Sequence, residues 1–64
     1  MIRINGSEIA AATLPLLTYL QERGFRTDRI AVELNGAIVK RGDYAATLLK
    51  DGDTAEIVHF VGGG

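Results

Sequence analysis

The sequence predicts an α+β fold in which one main helix packs on one face of a mixed sheet of about five strands. Two Asn-Gly pairs each separate short segments of alternating apolar and polar residues, which is the strongest short-range signal for a β-hairpin. Between these hairpins, leucines recur at helical spacing. The chain has 64 residues, enough for one small domain, and one helix covers only one face of a sheet. A two-layer domain is therefore expected.

The first hairpin is predicted at the start of the chain. Ile2 and Ile4 alternate with polar neighbours, which is the period of a half-buried strand. Asn5-Gly6 predicts a tight turn, because both residues tolerate a positive φ. The returning strand is expected over residues 7–11.

The helix is predicted over about residues 14–23. Thr13 can cap its N-terminus, and Pro15 suits the first turn, where a missing N–H does no harm. Gly24 is the expected C-terminal stop, and Phe25 is expected to fold back on the core. The apolar face of this helix consists of Leu14, Leu16, Leu17 and Leu20.

The second hairpin follows the helix. Apolar residues alternate over residues 30–34, Asn35-Gly36 predicts the turn, and residues 37–40 form the fourth strand. Residues 41–49 are expected to be irregular or one short helical turn.

In that irregular segment, Tyr44 and Leu48 are the expected inward residues. A turn over residues 50–53 then leads into the last strand, residues 54–61. The long connection between the first and last strands lets them pair in parallel at the sheet centre, which is the β-grasp arrangement. Residues 1–61 are thus predicted to form the domain, and residues 62–64 a flexible glycine tail.

Composition argues against several classes of protein. The formal net charge of −1, with both signs mixed along the chain, predicts no nucleic-acid partner. No apolar stretch approaches the ~20 residues that span a bilayer, so no membrane partner is expected. The first residues lack the layout of a signal peptide, and we expect a cytoplasmic location.

Few side chains could carry catalysis. His59 is the only histidine, lies inside the last strand, and is predicted to be a structural residue. The chain has no cysteine, and Asp51 and Asp53 fit a turn better than a metal loop. We therefore expect neither a self-sufficient enzyme nor a cofactor or metal of its own.

The three C-terminal glycines are the most informative feature. Gly62, Gly63 and Gly64 carry no side chains, and fully extended they would reach about 10 Å into a narrow channel. By elimination, the Gly64 carboxyl is the predicted reactive group. A partner that uses ATP could adenylate it, and a sulfur nucleophile could then displace AMP to leave a thiocarboxylate. An inert, frayed tail is the alternative.

Alternation along the last strand predicts where a partner docks. We expect the helix to cover the face that carries Ala55, Ile57, His59 and Val61. Val58 and Phe60 would then be exposed next to the tail, and would bind the partner together with Val61, Gly62 and Gly63. In the alternative, Phe60 lies in the core and His59 faces water.

Nearly the whole chain resembles the ThiS sulfur-carrier family of thiamine biosynthesis. The resemblance is carried by Ile4-Asn5-Gly6-Ser7, Val32-Glu33-Leu34-Asn35-Gly36, Ile38-Val39-Lys40-Arg41, Leu49-Lys50-Asp51-Gly52-Asp53 and Glu56-Ile57-Val58-His59-Phe60-Val61-Gly62-Gly63-Gly64. It implies that a ThiF-type enzyme adenylates Gly64 and that sulfur from a desulfurase system makes the thiocarboxylate. It further implies that the thiazole synthase ThiG takes up this sulfur.

Other functions of this tail chemistry stay open at this point. The small subunit of molybdopterin synthase shares the fold and the carboxyl chemistry. A ubiquitin-like protein modifier would instead form isopeptide bonds, and a β-grasp binding module would leave the tail unreacted. The sulfur could also go to a metabolite other than thiamine.

Overall fold

A computed structural model describes residues 1–60 of the chain. Within them lie seven short strands, one α-helix and two 3-10 helices, at Thr27–Arg29 and Arg41–Ala46. The strands and the helix are β1 Ile2–Ile4, β2 Ser7–Ile9, β3 Thr13–Pro15, α1 Leu16–Glu22, β4 Ile30–Leu34, β5 Ala37–Val39, β6 Leu48–Lys50 and β7 Thr54–His59. The predicted boundary between domain and tail, at residues 61 and 62, lies outside the described residues.

Five of the strands form one mixed sheet in the order β2-β1-β7-β4-β5. Both Asn-Gly hairpins form as predicted, with Asn5 and Asn35 each at a φ of 51°. The strand β7 lies in the centre, parallel to β1 and antiparallel to β4. The predicted β-grasp arrangement is therefore confirmed, and it makes the last described strand the central one.

A single hydrophobic core joins the helix to one face of this sheet. Leu16 and Leu20 of α1 are fully buried, and Tyr44 from the second 3-10 helix closes the same core. The sheet contributes Ile2, Ile4, Ile30, Val32, Ala55 and Ile57. β1, β4 and residues 54–58 of β7 follow the expected alternation, because successive side chains point to opposite faces.

The helix is shorter than the sequence predicts. It spans Leu16–Glu22, so Thr13 does not cap it, and Pro15 precedes it at a ψ of 124° without a capping side chain. The backbone N–H of Leu16 donates instead to the Thr47 carbonyl, at 3.0 Å. This tertiary hydrogen bond satisfies one of the donors that a helix N-terminus leaves free.

A second, two-stranded sheet explains why the helix starts later than predicted. β3 pairs antiparallel with β6, so that Leu14 lies opposite Leu49. Leu49 is fully buried, whereas Leu48 is 46% exposed, so the prediction that Leu48 faces inward is wrong by one residue. A one-residue shift in a strand moves a side chain to the other face, and an irregular segment gave no pattern from which to choose.

The C-terminus of the helix ends as predicted. Gly24 takes a φ of 79°, and its N–H donates to the Gln21 carbonyl, at 3.1 Å. The Phe25 N–H donates to the Leu20 carbonyl, at 2.9 Å. These two hydrogen bonds form a Schellman motif, which turns Phe25 back against the core.

Candidate functional site

The last strand delivers the C-terminal residues from the centre of the sheet. β7 ends at His59, and the backbone N–H of Phe60 donates to the Arg29 carbonyl, at 2.8 Å. Pairing with β4 ends at His59, and the Phe60 bond joins the chain to the last residue of the first 3-10 helix. The predicted reactive Gly64 and the predicted partner-binding residues Val61, Gly62 and Gly63 lie outside the described residues, so their roles stay predictions.

Two asparagine side chains hold β7 from opposite sides. The amide of Asn5 forms two part-buried hydrogen bonds with the Ile57 backbone, accepting from its N–H at 2.6 Å and donating to its carbonyl at 3.1 Å. At the other end of the strand, the Asn35 amide accepts from the Thr54 N–H, at 2.9 Å. Each turn residue thus sets the register of β7 in addition to making its own hairpin.

The two faces of β7 separate as the alternation predicts. Ala55 and Ile57 lie in the core, whereas Val58 and Phe60 are 58% and 60% exposed. Phe60 is therefore not a core residue. Whether Val58 and Phe60 bind a partner stays a prediction.

His59 differs from the prediction that the helix covers its side chain. It is exposed, and its ring makes a T-shaped contact with the Phe25 ring, with ring centroids 5.6 Å apart and an interplanar angle of 86°. Phe25, which follows the helix, is the residue that packs against His59. The structural role that the sequence indicates for His59 stays a prediction.

The open face of the sheet carries three further residues that sequence reasoning did not select. Glu33 in β4 lies directly opposite Glu56 in β7, and also opposite Ile38 in β5. Ile38 is 67% exposed. Alternation alone would place each residue on this face, but only the register of the strands shows that they adjoin.

Carboxylates at the opposite end of the sheet have structural partners. The N-terminal ammonium of Met1 pairs with Asp51. Hydrogen bonds from the Asn35 amide and from the Lys50 N–H hold the pKa of Asp53 below its ordinary value of 3.8. These contacts support the prediction that this segment is a turn.

The described residues lack the features of two other classes of site. Among residues 1–60, no group of three or more His, Cys, Asp or Glu side chains is placed to hold a metal ion. The helix found in this part of the chain is too short to cross a membrane.

Comparison with known proteins identifies the family. The model of the ThiS family matches residues 2–64, which is nearly the whole chain and includes the final glycines. The chain belongs to the ThiS family. The resemblance found in the sequence is thereby confirmed.

Solved structures agree with this ThiS-family assignment. A crystal structure of the thiamine biosynthesis protein ThiS from Geobacter metallireducens superimposes with a TM-score of 0.77 at 34% identity, covering 98% of this chain and 97% of that one. A solution structure of a thiamine biosynthesis protein from the same organism gives a TM-score of 0.73 at 33% identity, covering 98% and 86%. The shared fold confirms the β-grasp domain.

Two curated relatives of this ThiS-family chain are much longer. A thiazole synthase from Magnetococcus marinus is 44% identical over 64 residues, which are 98% of this chain and 20% of that protein. A thiazole synthase from Paramagnetospirillum magneticum is 42% identical over 62 residues, which are 95% and 19%. The chain thus spans about a fifth of the length of the thiazole synthases that it matches.

Proposed function

We propose that the chain is a sulfur carrier whose C-terminal carboxyl, on Gly64, is activated and converted to a thiocarboxylate by partner enzymes. The observation that carries the proposal is that the ThiS family match extends through the three terminal glycines. The central position of β7 supports it, because the folded sheet then holds the chain directly before the reactive end.

The chemistry follows from the carboxylate itself. Its negative charge opposes nucleophilic attack, and oxide is a poor leaving group. Attack of a carboxylate oxygen on the α-phosphorus of ATP gives the acyl adenylate and releases pyrophosphate. Sulfide then attacks the acyl carbon, the tetrahedral intermediate collapses, and AMP leaves with the oxygen. The product is the thiocarboxylate, with no change in the oxidation state of sulfur.

Each chemical step of this route requires a partner. This chain is a co-substrate rather than an enzyme, so a ThiF-type enzyme supplies the adenylation site and uses the ATP. A desulfurase system supplies the sulfur, which a thiol reductant releases from the desulfurase persulfide as sulfide, and thiazole synthase receives it. The similarity to one fifth of two thiazole synthases supports the last partner, because a fused domain of this kind would be held next to its synthase. We also propose a cytoplasmic location, which cell fractionation would test.

The docking surface in this proposal is the open face of β7. Val58 and Phe60 stand exposed immediately before the C-terminal residues. An enzyme that holds the Gly64 carboxyl must lie close to these side chains. Exposed aromatic and aliphatic residues of this kind are common anchors of protein interfaces.

The decisive experiment combines the protein with MgATP, a ThiF-type enzyme and sodium sulfide, and measures the intact mass. We expect a gain equal to one sulfur minus one oxygen, located on the C-terminal peptide. Gly63→Val adds a β-branched side chain beside the reactive end and should abolish this gain. If active enzymes produce no mass change in the unmodified chain, the carrier function is wrong. If Gly63→Val reacts normally, the narrow-channel argument is wrong.

A further inference from the structure

A row of three side chains crosses the open face of the sheet. Glu56 in β7, Glu33 in β4 and Ile38 in β5 lie directly opposite one another in the strand register. All three are exposed. The Cβ atoms of directly opposed residues lie about 4.5–5.5 Å apart, so the two glutamate side chains leave the sheet side by side.

Among residues 1–60, no basic group forms an ion pair with Glu33 or Glu56. The ion pairs formed by residues 1–60 join Met1 to Asp51, Arg3 to Glu8 and Arg26 to Asp28, and include neither Glu33 nor Glu56. Like charges placed directly opposite each other destabilise a sheet. The free protein thus keeps an unfavourable pair at a surface position where substitution is unconstrained by packing.

Exposed apolar side chains surround the pair on the same face. Val58 lies next to Glu56 along β7, Phe60 follows it, and Ile38 flanks Glu33 on the other side. These three are between 58% and 67% exposed. The patch is continuous with the strand that leads to the C-terminus, where the proposed adenylating enzyme binds Gly64.

We propose that the pair Glu33–Glu56 receives a cationic side chain, an arginine, from the adenylating enzyme, while Ile38, Val58 and Phe60 supply the apolar contacts around it. This inference rests on the proposed function and specifies the chemistry of its docking surface. A guanidinium presents a planar fork of donors that can bridge two carboxylates. Apolar side chains around it exclude water and strengthen the charged hydrogen bonds.

The proposal predicts opposite effects on folding and on binding. Removing one carboxylate relieves the repulsion in the free protein but takes away half of the arginine site in the complex. A residue that serves only the fold would not show this reversal. A solvated glutamate without a role would change neither quantity.

The test compares Glu33→Gln, Glu56→Gln and the double variant with Glu22→Gln. Glu22 is an exposed residue of α1, on the opposite side of the domain, and its substitution makes the same change in net charge as either single variant. Thermal unfolding gives the melting temperature. The steady-state KM of the ThiF-type enzyme for each carrier, with MgATP and sulfide, measures docking at low and at physiological ionic strength.

We expect each single variant to raise the melting temperature by about 1–5 °C. The double variant should raise KM about tenfold and should lose most of the salt dependence of KM that the unmodified chain shows. Glu22→Gln should match the unmodified chain in KM. Equal KM values for the double variant and Glu22→Gln would overturn the proposal, as would a lower melting temperature in both single variants. The unmodified chain distinguishes failure of the docking proposal from failure of the carrier function. If the unmodified chain does not react, the carrier function itself is wrong.

Discussion

At the residue scale, the alternation along β7 divides the strand between the core and the surface. Ala55 and Ile57 pack under the helix, while Val58 and Phe60 face outward on the open sheet. Phe25 packs against the exposed His59 ring. Phe60 is therefore a surface residue, and its side chain is accessible to another protein.

Phe60→Ala tests that assignment. Because Phe60 is 60% exposed, its truncation should change the free energy of unfolding by much less than the about 3–5 kcal/mol of a core phenylalanine. Binding to the adenylating enzyme or to thiazole synthase should weaken by more than about 1 kcal/mol. Leu48→Ala is the matched control, because Leu48 is an exposed apolar residue on the second sheet, and it should leave binding unchanged. A large loss of stability in Phe60→Ala would contradict the docking role.

Asp53 gives a prediction about pH. Its pKa is lowered in the folded protein, chiefly by the Asn35 amide and then by the Lys50 N–H. A lowered folded pKa stabilises the protein above the ordinary value of 3.8 and loses this contribution as the pH falls through the folded pKa. A carboxyl titration followed by NMR should place the Asp53 midpoint below 3.8, and Asn35→Gly should raise it toward that value. A midpoint at or above 3.8 in the unmodified chain would contradict this account.

At the element scale, the two Asn-Gly turns do more than reverse the chain. Both asparagines have a φ of 51°, and both direct their side-chain amides at the backbone of β7. β1 stops pairing with β7 near Ala55, and the Asn5 amide continues the contact at Ile57 in place of a strand. A turn on each side thus sets the position of the strand that precedes the reactive end.

Asn5→Gly isolates this contact, because glycine keeps the positive φ and removes only the amide. Two part-buried hydrogen bonds to Ile57 are lost, and the free energy of unfolding should fall by about 1–3 kcal/mol. Asn35→Gly is the matched control, since it has the same φ and neighbouring glycine, but its amide bonds are exposed. Chemical denaturation should show the smaller loss in Asn35→Gly. An equal or larger loss there would contradict the role given to Asn5.

At the scale of the whole molecule, stability depends on one small core that brings the two ends of the chain together. β1 and β7 are neighbours in the sheet although they lie at opposite ends of the described chain. A domain of 64 residues is expected to have only about 3–10 kcal/mol of unfolding free energy. Single core substitutions should therefore affect every element at once.

Leu20→Ala tests this dependence. Leu20 is fully buried in the helix face that covers the sheet, and truncation of such a leucine costs about 2–5 kcal/mol. Unfolding should stay cooperative with a much lower melting temperature, monitored by far-ultraviolet circular dichroism and by Tyr44 fluorescence in a Tyr19→Phe background. If the two probes separated, the helix and the 3-10 segment would not share one core. Leu48→Ala, at an exposed position, should change the melting temperature little.

Local patterns in the sequence determined much of this protein. The Asn-Gly pairs set both hairpins, alternation set the faces of β4 and β7, and Gly24 set the end of the helix. These features depend on backbone preferences and on side-chain period, which act over a few residues. The three terminal glycines and the family motifs are also contiguous in the chain. They therefore indicated the carrier chemistry without knowledge of the fold.

Tertiary structure alone decided where distant segments meet. The start of the helix depends on β3 pairing with β6, residues that lie more than thirty positions apart, and this pairing overrides the helical spacing of Leu14. The same holds for the Asn5 contact with Ile57 and for the opposition of Glu33 and Glu56. Register between strands is a property of the assembled sheet, so no local pattern could have placed the two carboxylates side by side.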